Sequence, residues 1–435
     1  MFSISDKLLV GVGKEKITPA IGTCLFGYVP NHHSESIHDE LYTYAFAFTY
    51  GLTKALFISI TVCSISNALQ DELRKEIEEK YGIPYGNIII AATHTHSGPN
   101  ISGITGWGGI DKDYYNEYFL PGFRKAVDIA VASQQEAIVA TAFGDSYVAV
   151  NRRELNDKNE IIFGQTPWAV TNPRMTLISF KNMNNEVIGN IISYGCHGTS
   201  AGRNREITRD WSGIMTDAVE AVSGAVTAFF NGPEGDQGPR LSNGDTTGDI
   251  KLTEELGAIA AADALRIYNT LGEYKTVSVS CHSDIAKLPL LKRTSLEEAK
   301  SKTDGVDGSR LVNIRKLTHE HYLSIIKSYE DGYVDEEFRE VPLDIIRIGN
   351  IAFVASPYEL FMEINLRIDR MVDDLDVIVL SNANGCSGYF PTESELCRGG
   401  YEIEMFKIDG LQCYTNDADY QLIKETVRIL KNLER

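Results

Sequence analysis

Three observations predict an α/β fold, a layered α/β/α domain around a large mixed sheet with the active site at the strand carboxyl ends. Long apolar runs alternate with segments of helical periodicity. The runs have the length of buried strands, and turn-rich motifs bearing chemically versatile residues follow directly after them.

The expected strands lie at 55–62, 87–92, 187–194, 225–230, 345–355 and 377–380, each a short apolar run bounded by polar or turn residues. Helices are expected at 67–80, where Leu69, Leu73 and Ile77 share one face, and at 115–136, 211–222, 252–271, 357–372 and 420–432. The stretch 291–339 is polar, helical in pattern and flanked by strands. It reads as a helical excursion whose charged residues form a solvated face. Internal repeats and low-complexity linkers are absent from the sequence, so residues 1–435 are expected to form a single elaborated domain.

Composition narrows the function classes. The chain is 43% hydrophobic and 23% charged, as in an ordinary globular enzyme, and its net charge is -19. No basic stretch offsets that charge, which argues against a nucleic-acid partner and against tight adsorption to an acidic bilayer. No segment approaches the ~18–20 apolar residues of a membrane span, so stable membrane insertion is not expected. The opening MFSISDKLLVGVG lacks the basic flank and long apolar core of a secretory signal. Seven scattered cysteines (Cys24, Cys63, Cys196, Cys281, Cys386, Cys397, Cys413), never spaced CxxC, argue against a disulfide framework and a thiolate zinc site. A cytoplasmic location is the resulting expectation, and homo-oligomerisation is left open.

The first chemical signal is the run 88–99, where an apolar strand enters Thr93-His94-Thr95-His96-Ser97-Gly98-Pro99. The strand runs straight into the pair and stops at Ser-Gly-Pro, so positions i and i+2 face one side and both imidazoles can enter one pocket. His319 and His321 share the same spacing inside a helical pattern, where they point about 200° apart, and are expected to be exposed helix residues. A second run, 187–194, ends in Gly195-Cys196-His197-Gly198-Thr199-Ser200, an imidazole among small residues that leave room for a ligand. Read locally, each histidine is either a metal ligand or a satisfied strand-end residue.

Ser356-Pro357-Tyr358-Glu359 has the form of a helix N-terminus with Glu359 closing a capping box, which is a complete structural account of that carboxylate. A carboxylate there could equally face a cation. The glycine-rich turn after 377–380 presents Tyr389, which either covers the loop or serves a site. Asn231–Arg240 holds three glycines and two prolines, a rigid turn or a backbone cradle.

Taken in order along the chain, these residues resemble the neutral/alkaline non-lysosomal ceramidase family over roughly residues 9–415. THTHSGP is the most specific match. IHDELY near His38, Asn151-Arg152, HGTS, the Gly-Asp-x-x-Pro loop, Pro-x-Glu and Gly-Tyr-x-x-Thr support it. The resemblance implies zinc held by His94, His197, Glu359 and Tyr389, with His96 and Arg152 lining the pocket and stabilising the reacting carbonyl. Asp210 aligns loosely with a family aspartate, and Asp236 belongs to the substrate loop. In that loop the family carries a serine of assigned catalytic role where this chain has Gly238. The additional C-terminal β-domain of the ceramidases has no counterpart in this sequence.

The expectation is therefore a zinc-dependent amidohydrolase that uses metal-activated water, with His96 shuttling a proton near its ordinary pKa and Arg152 stabilising the oxyanion. The expected substrate is a small soluble N-acyl compound. Two alternatives stand beside it: a true ceramidase or lipid amidase, and a metal-binding protein without turnover. Zinc rests on the resemblance, because histidine, carboxylate and phenolate ligands also suit iron or manganese.

Overall fold

The structure is a computed structural model that describes residues 7–433. An eight-stranded mixed sheet is built from β1 (Leu8–Lys16), β2 (Tyr42–Tyr50), β3 (Thr53–Ile60), β4 (Ile88–Ala92), β5 (Gln135–Asp145), β6 (Arg174–Asn182), β7 (Val187–Tyr194) and β8 (Thr227–Asn231). Its order is β8-β7-β6-β5-β1-β2-β3-β4. A second, four-stranded sheet contains β9 (Val279–Pro289), β10 (Phe338–Ile348), β11 (Ile351–Ala355) and β12 (Asp376–Leu380), in that order.

The mixed α/β class and the large buried sheet agree with the sequence. One face of the large sheet packs on the smaller sheet through Phe46, Phe57, Phe180 and Phe230 against Ile346, Ile351 and Phe353. Phe57 and Phe353 meet edge-on at 5.0 Å between ring centroids. The other face is covered by α1 (Asn67–Tyr81), α2 (Leu120–Ala132), α3 (Asp210–Ser223) and α4 (Ile250–Tyr268). Outside the smaller sheet lie α7 (Met362–Asp369) and α9 (Ala418–Leu433). The helices α5 (Leu296–Thr303) and α6 (Asn313–Glu330) form the excursion between β9 and β10, and α8 (Tyr401–Lys407) follows β12. The smaller sheet thus adds a fourth layer to the stack.

Within these two sheets most neighbouring strands are antiparallel, but three pairs are parallel: β3 with β4, β7 with β8, and β11 with β12. Each is a strand–helix–strand crossover, and each points its carboxyl ends at the same seam. That seam is closed by backbone bonds. The Ala92 N–H donates to Asn382 at 3.1 Å, Ser381 N–H to Asn231 at 3.2 Å, and Asn384 N–H to Ile90 at 2.8 Å.

Four local expectations are corrected. The run 345–355 is two strands, because Gly349 (φ 62°) turns the chain into a hairpin between Ile348 and Ile351. The segment 115–136 leaves the helix after Ala132, and Gln135 begins β5. The segment 357–372 is helical only from Met362. Glu359–Leu360 instead pairs in parallel with Tyr389–Phe390, so the capping box does not form and the Glu359 carboxylate is free for other work. His319 and His321 do lie on a helix, but both are half-buried rather than exposed.

Candidate metal centre

The His-x-His pair does not use strand alternation. β4 ends at Ala92, and His94 adopts a left-handed backbone (φ 65°), which is costly for a side chain without special support. Support comes from the His94 N–H donating to the Val62 carbonyl at 3.0 Å. Its Nδ1–H donates to the Cys63 carbonyl at 2.8 Å, which fixes the tautomer and leaves Nε2 free. His197 is held in the same way: its Nδ1–H meets the carbonyls of Glu234 at 2.7 Å and Gln237 at 3.1 Å.

Both free Nε2 atoms face one carboxylate oxygen. Glu359 Oε2 lies 3.5 Å from His94 Nε2 and 3.1 Å from His197 Nε2. The Tyr389 hydroxyl is 3.4 Å from His197 Nε2. All four residues are buried. The ligand atoms of His94, His197 and Glu359 lie within 4.8 Å of one another. Burial, then Arg152, pushes the His197 imidazole down to about 3, so it is neutral at ordinary pH. Burial opposes ionisation of Glu359, whereas positive charge or an N–H at the facing imidazole nitrogens, together with the Tyr389 hydroxyl, draws its pKa below the usual carboxylate range.

Two lone pairs and a carboxylate oxygen therefore face each other in a buried site, and Glu359 Oε2 has no hydrogen-bond donor among the described residues. Such an arrangement costs several kcal/mol per buried ion unless a cation lies among the acceptors, on the order of the figure for unpaired charges. The donor set of two imidazoles, one carboxylate and one phenol fits a divalent transition ion.

His96 sits beside this group, its Nε2 3.2 Å from His94 Nε2 and its ring edge-on to Tyr28 at 5.1 Å. Its Nδ1 is buried without a partner. Burial, followed by the neighbouring imidazoles, drives its pKa well below the ordinary value, which corrects the expectation of near-neutral titration. Arg152 donates from Nη2 to the Tyr389 hydroxyl at 3.1 Å and from Nε to Glu402 at 2.9 Å. Glu402 also receives Arg153 Nη1 at 2.6 Å, so one buried carboxylate orients two guanidiniums.

The other sequence-chosen residues stand behind this first ring. Asp210, at φ 60°, accepts from the backbone N–H groups of Ser200, Ala201 and Trp211, and so fixes the loop after His197. Asp236 accepts from Asn151 Nδ2 and Met362 N–H, both at 2.9 Å, joining the Arg152 strand to α7. Gly238 pairs with Val150 in a short two-stranded ladder. Sequence reasoning passed over Glu234 and Asn382, although both lie in loops it singled out. Asn382 Nδ2 donates to Glu234 Oε1 at 2.7 Å, and both side chains are buried behind the histidines. Glu402 carries no motif that would have marked it.

Beside the four residues opens a cavity of about 270 Å³. Its floor includes His94, His96, Glu359 and Tyr389, and its walls include Phe26, Ile104, Trp107, Leu317, Met405 and Ile408. Leu317 comes from the excursion, which therefore contributes an apolar wall as well as a solvated face.

Comparison with known proteins shows what the chain and its fold are similar to. The family model described as neutral/alkaline non-lysosomal ceramidase, N-terminal, matches residues 8–255. The chain is 22% identical over 462 residues to a neutral ceramidase of Pseudomonas aeruginosa, covering 90% of this chain and 68% of that protein. It is 26% identical over 267 residues to neutral ceramidase A of Dictyostelium discoideum, covering 56% of this chain and 37% of that one. The fold is similar to the crystal structure of the Pseudomonas aeruginosa neutral ceramidase, with TM-score 0.75 and 20% identity over 99% of this chain and 75% of that one. A ceramidase complexed with C2 gives TM-score 0.74 and 18% identity over 99% and 76%.

Proposed function

The chain belongs to the neutral/alkaline non-lysosomal ceramidase family, and from that premise we propose that it is a zinc-dependent hydrolase of an amide (N-acyl) bond. His94, His197, Glu359 and Tyr389 would hold the ion. The observation that carries this reading is the buried meeting of two Nε2 atoms with Glu359 Oε2, a carboxylate oxygen that has no hydrogen-bond partner among the described residues. A divalent ion in such a place supplies Lewis-acid polarisation of a carbonyl and activation of water.

The chain's own residues divide the remaining work. Arg152, fixed by Glu402, keeps a permanent positive charge beside Tyr389, where it stabilises developing negative charge on a carbonyl oxygen. His96 is neutral and half-buried, so it can offer one ring nitrogen to a proton and the other to a hydrogen bond. Asp210 and Asp236 keep the two loops in register. No hydroxyl stands at Gly238, which is consistent with water rather than a serine as nucleophile.

The substrate we favour is a small soluble N-acyl compound, supported by a cavity slightly below the ~300–1,000 Å³ of drug-sized pockets. The apolar wall of Phe26, Trp107, Leu317 and Met405 favours a second reading, a lipid amide such as ceramide.

Metal analysis and an amide series at neutral pH, on wild type beside His94→Ala, test the proposal. Wild type should hold one zinc and turn over. His94→Ala should lose both, with activity down by more than about 100-fold. A wild type that binds no divalent metal after loading, or cleaves no amide, would end the reading. Detergent-dependent cleavage of ceramide analogues would select the lipid alternative.

A further inference from the structure

The excursion helix α6 reaches the pocket through one residue. Asn313 begins the helix in a left-handed conformation (φ 53°), and its Nδ2 donates to the Tyr28 carbonyl at 2.6 Å. Its backbone N–H donates to the Gly106 carbonyl at 2.9 Å. The approach depends on glycine there: Gly106 has φ +97°, and a Cβ on it would sit 2.4 Å from the Asn313 carbonyl oxygen. Asn313 therefore clips α6 to two separate loops.

Both loops serve the pocket. The first carries Phe26 into its wall and Gly27 against His96, so closely that a Cβ on Gly27 would lie 2.4 Å from His96 Nδ1. The second carries Ile104 and Trp107. Just beyond Asn313, Ile314 and Leu317 pack against Phe26, Cys63 and Trp107. In α6 only Ile325 and Ser328 are fully buried, both in the far half of the helix. No side chain of the near half is fully buried; besides the Asn313 clip it is held by half-buried side chains, Ile314 and Leu317 on the pocket side and Lys316 and His319 against the 308–310 turn, where Lys316 Nζ donates to the Gly308 carbonyl at 3.1 Å. Asn313 and Leu317 also lie outside the span 8–255 matched by the family model.

We propose that Asn313 is a positioning residue that holds α6 as a rigid wall and so sets the length of unbranched acyl chain the pocket accepts. The inference rests on the amide-hydrolase reading of the same cavity and names what that reading leaves open. Fixing the helix keeps the Leu317 side chain in the apolar wall of the cavity; releasing it lets Leu317 retreat and admits further methylenes.

The test compares wild type, Asn313→Gly and Leu317→Ala on N-acyl p-nitroanilides of rising chain length. Calorimetric binding of unbranched carboxylates of the same lengths runs beside it. Asn313→Gly keeps the left-handed backbone and removes only the side-chain bond. Wild type should discriminate against chains beyond a limiting length. Both variants should raise the long-to-short ratio of kcat/KM and of binding by about fourfold per methylene newly admitted. Equal loss at every length in Asn313→Gly, or an unchanged profile, overturns the proposal, as does a wild type with no length limit in either assay. Should Asn313→Gly fail to fold, Asn313→Asp, which sets an acceptor against the Tyr28 carbonyl, is read in the same way. A wild type that cleaves no amide but whose binding limit is relaxed by Asn313→Gly leaves the proposal standing and removes the hydrolase reading instead.

Discussion

Thr246 occupies the space that a side chain at residue 238 would need. A Cβ on Gly238 would lie 2.7 Å from both Cβ and Cγ2 of Thr246, and 3.3 Å from Cβ of Arg152. Gly238 in the Asn231–Arg240 turn thus lies against a neighbour that fills the volume a side chain there would occupy. Restoring a hydroxyl there is a problem of packing before it is one of chemistry.

Gly238→Ser should therefore destabilise the protein by about 1–3 kcal/mol, the usual result of overfilling a close-packed site. Adding Thr246→Gly should recover most of that loss. Denaturant melts of the two variants check it, and a single variant as stable as wild type would show that the loop yields freely.

Gly27→Ala should displace His96 rather than the four metal-site residues. The glycine has φ +124° and leaves no room for a methyl group against the imidazole. Turnover is expected to fall on the order of 100-fold, as misplaced groups at reacting centres commonly do, while bound metal stays unchanged. Parallel metal analysis and kinetics separate the two effects.

Glu402→Gln should be among the most damaging conservative changes in the chain. Its carboxylate is shared by Arg152 and Arg153, and all three side chains are almost wholly buried. Removing the charge leaves Arg152 without its carboxylate partner and Arg153 with Glu395 alone, and a broken buried pair typically costs about 3–5 kcal/mol. Thermal unfolding should register this even if catalysis is never assayed.

Asp236 gives a signed pH dependence. Burial raises its pKa from 3.8 to about 6 in the folded protein. Between those values the native state binds the proton and the unfolded chain does not, so stability falls as pH rises through the window. Below it the group contributes no penalty, and above it the penalty is complete, at roughly 3 kcal/mol for a shift of about two units. The difference in unfolding free energy between wild type and Asp236→Asn should move against wild type from about pH 4 to about pH 7. A constant difference would mean that Asp236 titrates normally.

Much of the site could be read in the sequence because strand ends announce themselves. The run before His94 is unbroken and the one before His197 is largely apolar, and turn residues stop each of them, so the seam was visible as a set of endings. Glu359 was harder. Ser356-Pro357 imitates a helix start, and only the pairing of Glu359–Leu360 with Tyr389–Phe390, distant in sequence, overrides that local preference. The hairpin hidden in 345–355 was masked because Gly349-Asn350 interrupts two apolar strands without changing their composition. Strands β1, β2, β5, β6 and β9 mix polar residues into their pattern and carried a weaker signal. Asn313 and Glu402 belong to polar helices and gain meaning only from partners far along the chain.

The parallel crossovers have an architectural consequence. His94 and His197 leave the larger sheet, whereas Glu359 and Tyr389 leave the smaller one, so neither half of the polypeptide owns the centre. A fragment ending near residue 255 would carry one half of the ligand set, and its complement the other. Reconstituting metal affinity from two such pieces would require the interface between the sheets, with its phenylalanine seam, to reassemble first. Ion occupancy could then serve as a reporter of docking between the two sheets.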